Sequence, residues 1–123
     1  MKKLLLDTNF LIDLARFKID LEEILVFLQE PVELFILSST IKELKKIAKN
    51  KGKTGSLAKL ALKIIKLNQI QVLKEKEGPD KAFLSIADKN TIIATNDSKL
   101  RKKLKKLGIK TIYLRAKKYL EVM

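Results

Sequence analysis

The chain contains no cysteine, no histidine and no tryptophan. Without cysteine there is no disulfide framework and no thiol nucleophile. Without either cysteine or histidine there is no zinc finger, no Ser-His-Asp catalysis and no haem held through those side chains. Any metal this chain binds must be held by oxygen. Acids are also in the minority, 14 Asp plus Glu against 27 Lys plus Arg, which leaves a formal charge of +13. Long apolar runs are missing too: nothing approaches the ~18 residues of a membrane span. The opening Met-Lys-Lys-Leu-Leu-Leu-Asp meets an acid too early for a signal peptide's apolar stretch, so the expectation is a cytoplasmic protein with no membrane partner.

What is present suits one domain spanning residues 1–123. A chain of this length buries roughly two-thirds of its unfolded surface, and 46% hydrophobic residues can fill the core. The positive charge predicts attraction to polyanions, nucleic acid before membrane. A lysine-rich surface of the kind common in thermophile proteins is the alternative source of that charge.

Apolar spacing divides the chain into alternating elements. Residues 3–7 (KLLLD) form a short apolar run that fits a strand buried on both faces, with Asp7 at its carboxyl end. Helical spacing follows in two stretches, first Phe10, Leu11, Leu14 and Phe17, then Leu21, Ile24, Leu25 and Leu28 before Pro31. VELFIL, from Val32 to Leu37, reads as the next strand. Ser38-Ser39-Thr40 supplies caps for a helix carrying Ile41, Leu44, Ile47 and Ala48. KGKTGS at 51–56 reads as a basic loop before a helix with Leu57, Leu60, Ala61, Ile64 and Ile65. A strand from Ile70 to Leu73 precedes Gly78-Pro79-Asp80, which opens a helix with Phe83, Leu84 and Ala87. Thr91 to Thr95 is a fourth buried strand, a helix over about 98–107 ends at Gly108, and a fifth strand covers about 109–114. The pattern predicts an α/β fold: a doubly wound, five-stranded parallel sheet with helices on both faces. The last segment, from Ala116 to Met123, either covers an edge or engages a partner.

In such a sheet, ligands bind at the carboxyl ends of the strands. Asp7 ends the first strand, Glu43 lies one turn into the helix after the second, Asp80 opens the helix after the third, and Asp97 follows the fourth. Four carboxylates brought together repel one another unless cations are present, and carboxylate oxygens suit Mg²⁺ or Mn²⁺. Each acid also has a structural use. Asp97 and Asp7 can cap helices, Asp80 favours a first turn, and Thr40-Ile41-Lys42-Glu43 spells a capping box. Joint capping leaves unexplained why all four fall at one sheet edge. Asp13, Asp20, Asp88 and Glu22-Glu23 lie within or between helices and read as solvated surface.

The segments LLLDTNFLIDL, SSTIKEL, GPDKAFLSIA and IIATNDSKLRKKLKKLGIKTIYL, in that order, resemble a PIN-domain protein over essentially the whole chain. The resemblance implies a Mg²⁺- or Mn²⁺-dependent ribonuclease whose catalytic and metal-holding acids are Asp7, Glu43, Asp80 and Asp97. It implies supporting roles for Asn9, Ser39 and Thr95, and products with 5′-phosphate and 3′-hydroxyl ends. Many relatives carry a double acid where this chain has Asp80-Lys81. The family contains toxins of toxin–antitoxin pairs and RNA-processing nucleases, so a cognate antitoxin and a homodimer are the protein partners it implies. A non-catalytic RNA-binding or scaffold domain of the same fold is the alternative.

Two basic clusters are candidates for RNA contact, one with Lys45, Lys46 and Lys49, the other with Lys99, Arg101 and Lys102. Gly52-Lys53-Thr54 is not a Walker A loop, because the Gly required five positions earlier is Ile47. A phospho-accepting receiver domain would want an acceptor Asp near mid-chain, where this sequence reads KNKGKTGS.

Overall fold

The computed structural model describes residues 1–75, 81–82, 88–115 and 119–122. The chain opens with β1 (Lys2–Leu6), two consecutive helices α1 (Thr8–Arg16) and α2 (Leu21–Leu28), then β2 (Val32–Leu37). The helical hairpin α3 (Ser38–Ala48) and α4 (Lys53–Leu67) leads to β3 (Gln71–Leu73). The second half has β4 (Thr91–Ala94), α5 (Ser98–Lys106), β5 (Lys110–Arg115) and β6 (Tyr119–Val122). Lys81 and Ala82 are helical. Gly78-Pro79-Asp80, Phe83, Leu84 and Ala87, expected to build that helix, lie outside the described residues.

The strands form one sheet in the order β3-β2-β1-β4-β5-β6. The first five are parallel, as the alternation of elements predicts. β6 is the addition: it pairs antiparallel with β5, Leu114 opposite Leu120, so the carboxyl-terminal segment covers an edge of the sheet. From β1 the chain steps outward to β2 and β3, then returns to place β4 on the other side of β1. The direction of winding therefore reverses between β1 and β4, and a crevice opens at the carboxyl ends of those two strands.

Side-chain alternation builds two cores. Leu4, Leu6, Ile36, Ile92 and Ala94 face one layer with Phe10, Leu11, Leu14, Ile24 and Ala61. Leu5, Phe35, Leu37 and Ile93 face the opposite layer, with Ala82 and the α5 residues Leu100 and Leu104. A strand with both faces covered needs apolar residues at every position, which explains the unbroken Leu4-Leu5-Leu6 run.

Two local expectations fail for packing reasons. The basic loop at 51–56 is shorter than expected, because α4 already begins at Lys53. Gly55 lies in its first turn against the Asn50 carbonyl, so close that a Cβ there would collide with that backbone. The capping box at Thr40–Glu43 does not form either. Ser38, Ser39 and Thr40 belong to α3 itself, Leu37 occupies the cap position, and Thr40 is buried.

Candidate active site

The crevice between β1 and β4 collects the acids. β1 ends at Leu6 and Asp7 caps α1, its Oδ1 accepting from the Thr8 amide at 2.8 Å. The Asp7 amide donates to Ala94 O at 2.9 Å, which locks the end of β1 to the end of β4. One residue on, buried Thr95 donates its hydroxyl to Asp7 Oδ2 at 2.8 Å and accepts from the Asp97 amide at 3.1 Å. Thr8, also buried, donates its hydroxyl to Glu43 Oε2 at 3.3 Å. Two threonines thus tie together three acids from three separate segments.

The electrostatics of Asp7 differ from those of an ordinary cap. Burial pushes its carboxyl up; hydrogen bonds from Thr95 and Thr8 oppose that, and the charges of Glu43 and Asp97 push it up again, leaving it above the usual carboxylate range. Asp97 caps α5 through Oδ1, which accepts from the amides of Lys99 and Leu100 at 2.9 and 3.3 Å. The structural use and the clustering therefore coexist in the same residue. Among the described residues no three acids stand close enough to make a finished metal cage. The donor set nevertheless suits a hard cation: it is all carboxylate, and its most buried member is destabilised as an anion by its neighbours. Asp80 lies outside the described residues.

The supporting residues separate by role. Thr95 buttresses Asp7, and Asn9 is exposed on the wall of the cleft. Ser39 faces another partner, for its amide and both Ser38 donors bond the carboxylate of Glu75, at 2.8 Å for Ser39 N, 3.0 Å for Ser38 N and 2.8 Å for Ser38 Oγ. Glu75, at the end of β3, thus supplies the cap that α3 lacks locally. Lys45, Lys46, Lys49, Lys99 and Lys102 are exposed. Arg101 differs from its neighbours: its guanidinium stacks 3.7 Å above the Tyr113 ring of β5.

Asp13 is not free surface. Its Oδ2 accepts from Asn96 Nδ2 at 2.7 Å and its Oδ1 from Arg16 Nη1 at 3.0 Å, while Asn96 Oδ1 accepts from the Leu114 amide at 2.9 Å. These residues stand beside a cavity of about 520 Å³. α1 contributes Asn9, Ile12, Asp13 and Arg16 to its wall, and Ile47, Thr54, Asn96 and Asp97 complete it. The signal in the sequence is the spacing of Asn9, Asp13 and Arg16, which places them on one face of the helix that Asp7 caps.

Residues 4–117 match a family described as "PIN like domain". Ribonuclease VapC4 of Methanocaldococcus jannaschii is 38% identical over 128 residues, an alignment covering 99% of this chain and 97% of that protein. Among solved structures, the PIN domain endonuclease Utp24 superposes with a TM-score of 0.75 at 24% identity, covering 98% of this chain and 90% of that one. A domain of a functionally unknown protein from Methanocaldococcus jannaschii DSM 2661 superposes with a TM-score of 0.64 at 22% identity, covering 94% and 93%. Both structural matches bear on the fold.

Proposed function

This chain belongs to the PIN-like domain family, and on that premise we propose that it is a Mg²⁺- or Mn²⁺-dependent endoribonuclease, a hydrolase of RNA phosphodiesters. The observation that carries the reading is Asp7: a largely buried carboxylate at the switch point of the sheet, raised by burial and by the charges of Glu43 and Asp97. Capping α1 accounts for a carboxylate at this position but not for the two further acids gathered beside it, whose charges a bound cation would offset. The ribonuclease name of the 38% identical relative supports RNA as the substrate.

Asp7, Glu43 and Asp97 would hold the ion, with Asp80 as the fourth acid. A bound divalent ion lowers the pKa of water and neutralises charge on the phosphate and the leaving oxygen. The chain's own residues supply the rest. Thr95 fixes Asp7 Oδ2 and the backbone of Asp97 with one hydroxyl, so the two acids that flank the crevice keep a common orientation. Thr8 holds the long Glu43 side chain toward the same crevice. Exposed Lys45, Lys46, Lys49, Lys99 and Lys102 attract the polyanion without reading its sequence, and Arg101, braced by Tyr113, adds fixed charge on the same helix.

Such a nuclease serves either as the toxin of a toxin–antitoxin pair, with an antitoxin covering the cleft, or in RNA processing, in both cases in the cytoplasm. No described helix is long and apolar enough to cross a membrane. A homodimer has apolar surface available in Leu25, Val26 and Phe27 of α2, all exposed.

The test is incubation of structured and single-stranded RNA with Mn²⁺, Mg²⁺ or EDTA, followed by analysis of the new ends. Cleavage with either metal, none with EDTA, and 5′-phosphate ends are expected. Equal cleavage in EDTA, or 2′,3′-cyclic phosphate products, would refute the mechanism; RNA binding without cleavage under any metal would favour the scaffold reading.

A further inference from the structure

None of the hydrogen bonds in the chain Leu114–Asn96–Asp13–Arg16 beside the cleft ends on Asp7, Glu43 or Asp97, yet every link in it is made. The Leu114 amide fixes the Asn96 carboxamide at 2.9 Å, which leaves the Asn96 NH₂ to fix Asp13 at 2.7 Å. Asp13, only 21% exposed, uses its other oxygen to hold Arg16 Nη1 at 3.0 Å. Arg16 itself is 42% exposed and lines the 520 Å³ cavity that reaches Asp97. A surface ion pair three residues apart on a helix contributes little to stability and needs no such backing from a distant strand. A guanidinium that must meet a ligand in one orientation does need it.

We infer that Arg16 is a phosphate-binding residue of a substrate subsite, gripping the RNA phosphodiester next to the one that is cut. The inference rests on the ribonuclease reading for the identity of its ligand. One N–H of the guanidinium goes to Asp13; the remaining donors form the planar fork that matches two phosphate oxygens. Asp13 lies six residues along α1 from Asp7, about 9 Å in helical rise. Helical side chains lean toward the N-terminus, so Arg16 reaches back over Asp13 in the direction of the acids. That offset along the cleft suits the phosphodiester next to the one held at Asp7. Ile12 and Ile47 give the intervening nucleotide an apolar wall, and exposed Asn9 and Thr54 give it a polar rim.

The experiment compares wild type, Arg16→Ala and Arg16→Lys in two assays. One is steady-state cleavage of a single-stranded RNA with Mn²⁺. The other is binding of the same RNA, fluorescently labelled, with Ca²⁺ in place of Mn²⁺, over a range of salt. Arg16→Ala is expected to raise KM and the RNA Kd together by about tenfold, leave kcat within about twofold, and reduce the slope of log Kd against log salt by about one. Arg16→Lys should keep the salt slope and recover only part of the affinity, because an ammonium lacks the fork. If KM, Kd and salt slope stay at wild-type values while only the melting temperature moves, Arg16 is a structural ion-pair partner and the subsite is overturned. If wild type cuts no RNA with any metal, yet Arg16→Ala still weakens binding tenfold, the subsite stands and the catalytic reading falls. If wild type cuts and neither variant changes KM or Kd, the catalytic reading stands and the subsite falls.

Discussion

Two carboxylates stand at the same edge of this sheet in opposite environments. Glu75, at the end of β3, receives two amides and a hydroxyl from the first turn of α3. Its partial burial raises its pKa, but the hydrogen bonds from Ser39 and Ser38 outweigh that and hold it below the usual range. Asp7, at the end of β1, is more deeply placed, has fewer donors and two acidic neighbours, and is held above that range. The fold stabilises the charge of Glu75 and leaves that of Asp7 unbalanced. A carboxylate whose donors outweigh its burial is a structural clasp; one whose burial and like-charged neighbours outweigh its donors is where the proposed cation would be held.

The largest effect that tests this contrast is chemical. Asp7→Asn is expected to lower RNA cleavage with Mn²⁺ by roughly a hundredfold or more. The same substitution should leave the metal-free protein as stable as wild type or more so at neutral pH, since Asn still caps a helix and the carboxylate it replaces is disfavoured as an anion by burial and by two acidic neighbours. Cleavage rates and melting curves in EDTA check both halves. A variant that lost activity only because it unfolded would erase the distinction between the two acids.

Next in size is Gly55→Ala. The new Cβ would collide with the Asn50 carbonyl and force α3 and α4 apart, costing about 2 kcal/mol in chemical denaturation. Because α3 carries both Glu43 and the amides that hold Glu75, cleavage should fall along with stability. Glu75→Ala should cost about 1 kcal/mol, comparable to removing a helix N-cap. A loss of activity as large as that of Asp7→Asn would show that the structural clasp and the cation site are not separable.

The smallest effect is in pH. Glu75 has a depressed pKa in the folded state, so its contribution is present above its unfolded value and is lost as pH falls through its folded value. Asp7 has a raised pKa, so in the absence of metal its ionisation costs stability at neutral pH; that cost starts to shrink as pH falls below its folded value and is gone once pH is below its unfolded value. Glu75→Ala and wild type should therefore converge in stability below about pH 4, whereas the advantage of Asp7→Asn over wild type should shrink as soon as Asp7 protonates, at higher pH. Denaturation midpoints followed from pH 3 to 8 would show two separate convergences; a single one would mean that the two carboxylates titrate alike.

The parts of this molecule visible in its sequence are those encoded by neighbours in the chain. Leu4-Leu5-Leu6, VELFIL and TIIAT marked buried strands because both faces are covered, and the positions of Asp7, Glu43 and Asp97 followed from where those strands end. The relationships that were not visible span distance. Glu75 bonds Ser38 and Ser39 from 37 and 36 residues away, so the serines looked like caps although the cap comes from elsewhere. Asp13 looked like solvated surface because Asn96, 83 residues on, is what fixes it. The sequence left open whether the last segment covers an edge or engages a partner, and β6 could not be read as a strand for a related reason: a short edge strand is defined by its pairing with β5 more than by its own residues. Gly55, read as part of a loop, is required by the close approach of two helices.

The most direct measurement of the central claim is a Mn²⁺ titration of wild type, Asp7→Asn and Glu75→Ala, followed by electron paramagnetic resonance of the free ion. The account predicts that wild type and Glu75→Ala bind Mn²⁺ alike while Asp7→Asn loses at least about tenfold in affinity. Equal binding by all three, or a loss confined to Glu75→Ala, would contradict it.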